Sequence, residues 1–330
     1  MGGFHVDPGR RVERAIVTHG HADHCRPGSA ALLTTPETAR IAEVRYGKDA
    51  FPRVETLAYN APQNIGDVTV TLVPAGHVLG SAQVVIEAEG KRAVISGDYK
   101  READPTCAPF ELVECDLFVT EATFGLPVFR HPPVRDEIAR LLASIARFPE
   151  RTHAVGAYAL GKAQRLIAEL RAAGFDRTIY LHGALEKLCT LYQEMGVELG
   201  PLAQATANGP DLTGTLVLAP PSALGDRWAR RLPDMLPVAA SGWMRVRQRA
   251  KQHGVELALV ISDHADWDDL TTTIRETGAS EVWVTHGAED ALTHWCKSQG
   301  IDAQALRLVG RGEEEDAAPA PAPDGAWSRS

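Results

Sequence analysis

The sequence predicts an α/β protein in which a β-rich domain is interrupted by an inserted segment of alternating helices and strands. Short apolar strands dominate the chain up to about Glu121, whereas helices and strands alternate from Pro132 onward. After about residue 255, strands that end in histidine-bearing turns return. Because polar chemistry returns at strand ends there, we expect the first domain to resume in this last part.

Each part is predicted from its own periodicity. In the first part, Glu89-Gly90 is typical of a hairpin turn between two apolar strands. The strands predicted in this part are 12–18, 68–74, 82–88 and 92–97. In the middle part, the predicted order is helix 133–147, strand 152–157, helix 161–173, strand 178–181 and helix 184–195. In the last part, the order is strand 257–261, helix 267–277, strand 281–285, helix 289–298 and strand 304–309.

Composition limits the class of protein. The 330 residues are 44% hydrophobic and 23% charged, as in soluble globular proteins, and no apolar run approaches the roughly 20 residues that cross a bilayer. We therefore expect a cytoplasmic enzyme without a membrane partner. The net charge of −9 argues against nucleic acid, but residues 227–231 and 245–251 concentrate positive charge locally. The acidic, Ala-Pro-rich residues 313–330 predict a disordered tail.

The strongest motif is HGHADH at residues 19–24, which follows an apolar strand and holds four candidate metal ligands, His19, His21, Asp23 and His24. Chance gives this spacing rarely, so we interpret it as a metal site rather than a polar loop.

Two further candidate ligands follow apolar strands in the same way. His77 lies in PAGHVLGS and Asp98 follows VISG, and strands that deliver such residues to one sheet edge can build a preorganised metal site. His286, in the turn after another apolar strand, is the best candidate to complete a second site. The set is large enough for two cations with one bridging carboxylate, an arrangement that serves hydrolysis at phosphorus or carbonyl centres.

Other residues have more than one interpretation. His264 is a further ligand or a proton donor, and Glu121 is a strand-end carboxylate that could orient an imidazole. Gly161-Lys162 opens a predicted helix in a near match to a P-loop, but Ala163 replaces the hydroxyl residue that would hold magnesium. Gly161 and Lys162 are therefore candidates either for phosphate binding or for a helix cap with a surface lysine. Arg245, in the second basic segment, is a candidate substrate contact.

Together these motifs resemble the metallo-β-lactamase fold nucleases that carry a β-CASP insert, and within them the bacterial ligase-associated DNA exonucleases. The resemblance extends from Phe4 to about Gly312. PAGHVLGSAQ and SDHADW are its most specific parts, and residues 157–164 and Ser241-Gly242-Trp243-Met244 resemble the stretch (A/G)xGxAQ and a strand near the cleft. The residues that match the successive family motifs are Asp7, the run 19–24, His77, Asp98, Glu121, His264 and His286.

The resemblance implies an αββα sandwich with an inserted α/β domain. Residues 1–123 and 253–312 would form the two parts of the metallo-β-lactamase domain, and residues 124–252 the β-CASP insert. The chain begins almost on the first motif, whereas relatives usually carry a further N-terminal β segment. This departure suggests a truncated start or a misassigned initiator, and it leaves the sheet edge beside Asp7 open.

The resemblance also implies the roles of the site residues. One metal ion would be held by His19, His21, His77 and Asp98, and the other by Asp23, His24, Asp98 and His286. Asp98 would bridge, and a hydroxide between the ions would attack the scissile phosphate. His264, oriented by Glu121, would protonate the departing oxygen or steady the phosphate, and Asp7 would support the histidine loop.

The expected function is a two-metal DNA exonuclease in DNA repair, with an ATP-dependent DNA ligase and a helicase as functional partners. Zinc suits the histidine-rich ligands, with manganese as the alternative. An RNA-processing ribonuclease of the same group is the main alternative, and a non-catalytic nucleic-acid-binding scaffold is a weaker one. The sequence leaves open the polarity of cleavage, the strand preference and the oligomeric state.

Overall fold

The computed structural model describes residues 2–206, 211–246, 248 and 254–306. Three β-sheets organise this part of the chain. Two of them face each other and carry the predicted metal ligands, and the third belongs to the middle of the sequence. None of the helices in the described ranges is long and apolar enough to span a membrane.

The first sheet has four parallel strands in the order β1-β2-β3-β4. Their bounds are His5–Val6, Arg14–Ile16, Ala31–Thr34 and Arg53–Thr56. Helix α1, Pro36–Tyr46, covers its outer face, where Ala42 packs with Val17 and Leu32.

The second sheet is mixed and has seven strands in the order β17-β16-β9-β8-β7-β6-β5. Strands β5 to β8 are antiparallel neighbours, and β8, β9, β16 and β17 run parallel. The bounds of β5 to β9 are Gln63–Ile65, Val68–Pro74, Ala82–Ala88, Lys91–Ile95 and Leu117–Ala122, and those of β16 and β17 are Glu281–Gly287 and Asp302–Ala305.

Apolar residues join these layers into a sandwich. Ile16 and Leu33 of the first sheet pack with Leu72 and Val84 of the second. On the outer face of the second sheet lie helices α5, Trp267–Glu276, and α6, Glu289–Ser298, whose buried side chains pack on Phe118. The layer order is helix, sheet, sheet, helix, so the predicted αββα sandwich is confirmed.

The middle of the chain forms a six-stranded parallel sheet in the order β12-β11-β13-β10-β14-β15. The bounds of β10 to β15 are Thr152–Gly156, Ile179–Leu181, Leu202–Gln204, Leu216–Ala219, Met235–Ala240 and Leu257–Leu259. The accompanying helices are α2, Val134–Arg147, α3, Lys162–Ala172, and α4, Gly183–Glu194. Their core includes Ile41 of α1 and Leu79, so this layer packs directly against the sandwich.

The structure corrects several predicted elements. The first part contains an 11-residue helix, α1, although we expected mostly strands there. Ser241 to Met244 do not form a strand: β14 ends at Ala240, and Gly242–Arg245 is a 3₁₀ helix capped by the Ser241 side chain. The strand predicted at 12–18 is only Arg14–Ile16. The strand predicted at 304–309 is β17, Asp302–Ala305, and its predicted end lies outside the described residues, as does the tail 313–330.

Candidate metal centre

The predicted ligands come together at one edge of the sandwich, in loops that follow the ends of strands. His19 and His21 follow β2, His77 follows β6, and Asp98 follows β8. These loops are tightly held: Gly97 has a φ of +56°, and a Cβ there would overlap the Thr18 side chain. The loops therefore depend on the two sheets for their positions.

The first group contains His19, His21, His77 and Asp98, with one donor atom from each lying within 4.8 Å of the others. His21 Nδ1 lies 3.1 Å from His19 Nε2 and 3.0 Å from His77 Nε2. Asp98 Oδ2 lies 3.5 Å from His19 Nε2 and 3.9 Å from His77 Nε2. Three ring nitrogens and one carboxylate thus converge on a single point.

Hydrogen bonds on the far side of each ring decide which nitrogen faces this point. His21 Nε2 donates to the Leu160 carbonyl at 3.2 Å, and His77 Nδ1 donates to the Asp263 carbonyl at 2.9 Å. The Thr18 hydroxyl donates to Asp7, so its oxygen accepts from His19 Nδ1 at 3.0 Å. Each imidazole keeps its other nitrogen unprotonated towards the group, as metal ligation requires.

The second group contains Asp23, His24 and His286. Asp23 Oδ2 lies 3.3 Å from His24 Nε2 and 3.8 Å from His286 Nε2. His24 Nε2 is also 3.3 Å from Asp98 Oδ2, so Asp98 lies between the two groups. His286 has a φ of +61°, at a bulge in β16, which is an uncommon conformation for a residue with a side chain.

Asp7 supports this loop from behind. Its carboxylate accepts from His24 Nδ1 at 2.7 Å, from the Thr18 backbone N–H at 2.8 Å and from the Thr18 hydroxyl at 2.7 Å. The φ of Asp7 is +43°. The side chain predicted to support the histidine loop therefore contacts it directly.

Burial and the carboxylates shift the pKa values of the histidines in different directions. Burial, reinforced by neighbouring histidines, lowers the pKa of His77 to about 3, and burial also lowers the pKa of His19 and that of His21. Burial opposes protonation of His24 as well, but Asp98, Asp23 and Asp7 outweigh it and raise the His24 pKa. The first group is therefore a set of neutral imidazoles.

The donor chemistry fits bound cations. His24 Nε2 and Asp98 Oδ1 are buried and have no hydrogen-bond partner in the described part of the chain. Buried polar atoms without partners are costly, and a divalent cation would satisfy both. Imidazole nitrogens with carboxylate oxygens are a donor set that zinc accepts, with manganese as a further candidate.

A third group joins His264 to the metal centre. His264 Nδ1 donates to Glu121 Oε2 at 3.0 Å and lies 3.9 Å from Asp98 Oδ2. Glu121 is held in turn by the Tyr99 backbone N–H, which donates to Oε1 at 2.8 Å. Nearby, the Asp266 side chain caps α5, because it accepts from two backbone N–H groups at the start of that helix.

The candidate substrate contacts lie at different depths. Gly161 precedes α3 with a φ of +86°, and Lys162 is buried, with Nζ 3.6 Å from Asp263 Oδ2. The alternative of a surface lysine is therefore wrong, since only 4% of Lys162 is exposed. Arg245 is exposed at the end of the 3₁₀ helix Gly242–Arg245.

Sequence reasoning did not find the groups that orient the histidine rings. The carbonyls of Leu160 and Asp263 and the hydroxyl of Thr18 are part of the site only because distant segments pack together. Backbone carbonyls have no signature in the sequence. Of these three orienting groups, only Thr18 could have been suggested from the sequence, because it directly precedes HGHADH.

The fold is a two-sheet sandwich, and its candidate metal centre lies at one edge of that sandwich. Residues 5–152 match the metallo-beta-lactamase superfamily. This match covers slightly less than half of the chain and includes the candidate ligands from His19 to Asp98. Proteins similar to the chain include curated relatives named as a DNA ligase and as endoribonucleases.

One curated relative covers nearly the whole chain. It is a "Probable DNA ligase" of Opitutus terrae, 28% identical over 320 residues, which are 92% of this chain and 30% of the relative. Another is an "Endoribonuclease ysh1" of Aspergillus fumigatus, 34% identical over 175 residues, which are 52% of this chain and 19% of the relative. The chain thus spans less than a third of either relative.

A solved structure shares the fold. It is a crystal structure of a protein of unknown function from Enterococcus faecalis, with a TM-score of 0.60 and 16% identity, covering 90% of this chain and 80% of that one.

Proposed function

We propose that the chain hydrolyses phosphodiester bonds of nucleic acid with two divalent metal ions, and that it acts as a DNA exonuclease. The observation that carries this proposal is the position of Asp98, whose carboxylate lies within 4 Å of His19, His24, His77 and His264. A bridging carboxylate between two ligand groups, with a histidine beside it, is the arrangement that in-line displacement at phosphorus needs.

The proposed ligands of one ion are His19, His21, His77 and Asp98, and those of the other are Asp23, His24, Asp98 and His286. When bound, the ions would lower the pKa of a water molecule and neutralise the negative charge that develops on the phosphate. We assign the ions as zinc, with manganese as the alternative.

The residues of the chain supply the remaining steps. Glu121 fixes the His264 ring through Nδ1, so Nε2 is the atom that would donate a proton to the departing oxygen. Asp7 holds His24 in the orientation that ligation requires. Lys162, Gly161 and Arg245 are proposed to contact the substrate backbone.

The domain division stays part of this proposal. Residues 1–123 would carry the metals together with the part of 253–312 that follows β15. The insert predicted at 124–252 would extend through β15, because Leu257–Leu259 pairs with β14 in the six-stranded sheet. Nucleic acid would lie in the cleft between the two parts. The burial of Lys162 beside Asp263 supports this placement, because it brings a cation of α3 next to the metal centre.

The choice of DNA rests on the relative named a probable DNA ligase, whose match covers 92% of this chain. The same match supports a functional association of this chain with an ATP-dependent DNA ligase in DNA repair. The match to an endoribonuclease favours RNA as the alternative substrate. A helicase partner and a cytoplasmic location stay predictions from the sequence.

Two substitutions test the proposal. Asp98→Asn should remove bound metal and cleavage together, whereas His264→Asn should retain metal and lose at least ~100-fold in turnover, the usual contribution of a positioned acid. Metal content by mass spectrometry and digestion of end-labelled single- and double-stranded DNA and RNA are the measurements. Unchanged cleavage by Asp98→Asn contradicts the proposal, and preferential digestion of RNA would select the alternative.

A further inference from the structure

Three nitrogen-bearing side chains from different segments are connected to the surroundings of His264 through shared neighbours. Glu102, which lies 3.6 Å from Lys100 Nζ, also accepts from the Val134 backbone N–H, three residues after His131. Asp263, which lies 3.6 Å from Lys162 Nζ, directly precedes His264. Lys100 follows the Asp98 loop, His131 precedes α2, and Lys162 begins α3. The His131 backbone N–H donates to Asp266 Oδ2 at 2.8 Å, and the ring stands 4.6 Å from that of Phe124, itself 6.2 Å from His264. We call Lys100, His131 and Lys162 the nitrogen cluster.

Both lysines of the cluster are buried, and their ammonium groups lack a carboxylate within ordinary hydrogen-bond length among the described residues. Each is only 4% exposed. The carboxylate oxygen nearest to Lys100 Nζ, on Glu102, and the one nearest to Lys162 Nζ, on Asp263, both lie at 3.6 Å, beyond ordinary hydrogen-bond length. Their N–H donors are therefore available to a ligand.

The His131 ring is also buried without hydrogen-bond partners among the described residues. Neither ring nitrogen has a hydrogen-bond partner among the described residues, although both atoms are buried. Burial, followed by the positive charges of Lys100 and Lys162 and by His264, lowers the pKa of His131 to about 3. The ring is thus neutral and able to donate one hydrogen bond. Buried donors without partners usually mark a ligand or water site.

The charge around the cluster indicates what it would bind. Glu102 and Asp263 face the two lysines, and Asp104 lies 3.7 Å from Arg165. Arg165 itself is committed to Glu102 and to the Ser262 carbonyl, each at 2.7 Å. With acids and bases nearly balanced, a ligand of charge −1 adds less unpaired buried charge than one of charge −2, and the lysine and imidazole N–H groups can donate to it.

We propose that Lys100, His131 and Lys162 bind the phosphodiester group next to the scissile one, so that the chain recognises an internal link of a polynucleotide. This rests on the proposed function. Contacts to a neighbouring phosphate position the strand without reading its sequence, and the three side chains are thus positioning residues.

A substrate modification tests the proposal without any variant. In a set of otherwise identical oligonucleotides, one linkage is replaced by an uncharged methylphosphonate, moved stepwise from each end. We expect kcat/KM at the unmodified scissile bond to fall by about 10- to 100-fold when the replacement is the adjacent linkage, the range for charge-assisted hydrogen bonds. A charged oligonucleotide with the same sequence is the reference.

Variants identify the protein side of the contact. The penalty should shrink to below ~5-fold in Lys162→Met and in His131→Phe, and should be restored towards the wild-type value in His131→Asn, which keeps an N–H donor. Lys91→Met is the matched control, because Lys91 is an exposed lysine at the β7–β8 hairpin paired with Asp116; it should keep the full penalty. Metal content is measured for every variant.

The outcomes separate the two proposals. If wild-type protein does not cleave the unmodified oligonucleotide, the proposed function fails. If it cleaves but no adjacent methylphosphonate matters, or the penalty is the same in all variants, the nitrogen cluster has a different role. A further outcome concerns chain ends. If the wild-type protein cleaves oligonucleotides with a terminal phosphate faster than those with a terminal hydroxyl, and Lys162→Met loses this difference, then the nitrogen cluster binds a chain end and not an internal link.

Discussion

Each histidine of the first ligand group has one ring nitrogen in a hydrogen bond, and this decides which nitrogen is left to bind a cation. The partners are two backbone carbonyls and one threonine hydroxyl. Asp7 does the same for His24 with a charged acceptor. At the residue scale, the site is therefore oriented by groups that do not themselves reach the ligand point.

Asp7→Asn should weaken metal binding without removing a proposed ligand. The amide cannot accept all three hydrogen bonds that the carboxylate accepts, so His24 loses its fixed orientation, and metal affinity should fall about 10- to 100-fold. Calorimetric metal titration measures this. Asp49→Asn, at an exposed position, is the control and should bind metal like the wild type; equal affinities in both variants would show that Asp7 has no orienting role.

Residue types and spacing were enough to predict the candidate ligands, because histidine and aspartate at strand ends carry a distinct pattern. The nitrogen cluster could not be predicted in this way. Lys100, His131 and Lys162 are far apart in sequence, and each alone is typical of a surface or a helix end. Their burial depends on packing between α3, the Asp98 loop and the segment before α2.

At the element scale, strands were predicted better than the first helix. Helix α1 has a recognisable start, with Thr35 as N-cap and Pro36 in the first turn, but its buried residues are only Thr38, Ile41 and Ala42. So short an apolar stripe gives little periodicity. The strand predicted at Ser241 to Met244 was wrong for another reason. Ser241 caps a 3₁₀ helix that begins directly after β14, and the amino-acid composition does not change between the strand and that helix.

The turn before α3 should tolerate no side chain at Gly161. Gly161 and Gly174 have nearly the same φ, +86° and +84°, but a Cβ at Gly161 would overlap Val78, whereas nothing lies within 4 Å of one at Gly174. Gly174→Ala should therefore cost about 1–2 kcal/mol of unfolding free energy. Gly161→Ala should cost a further ~1–3 kcal/mol through overpacking.

The measurement is urea unfolding of both variants, together with metal titration. Gly161→Ala should also lower metal affinity, because Val78 is adjacent to His77, and the Leu160 carbonyl, which holds His21, is adjacent to Gly161. Equal losses of stability in the two variants would show that the contact with Val78 does not matter.

At the scale of the whole molecule, Arg165 links the six-stranded layer to the metal-bearing sandwich. Its side chain is fully buried in α3. It donates to Glu102 and to the Ser262 carbonyl, and Asp104 lies nearby. Ion pairs of this kind fix the relative position of two layers more than they add stability.

Arg165→Gln should destabilise the protein by about 3–5 kcal/mol, since it leaves buried carboxylates without a counter-charge. Arg40→Gln, which removes an exposed arginine of α1, should change the stability by less than ~0.5 kcal/mol. Adding Asp104→Asn to Arg165→Gln should recover part of the loss. Chemical denaturation of the four proteins is the measurement, and a loss no larger than that of Arg40→Gln would contradict the role of Arg165.

The parallel pairing of β9 with β16 has a consequence for synthesis. β9 ends before the middle layer begins, and β16, which carries His286, is translated only after that layer is complete. At ribosomal rates, the delay is on the order of ten seconds. A nascent chain therefore cannot assemble the second ligand group while its middle layer is being made, so the candidate metal centre is completed only late in synthesis.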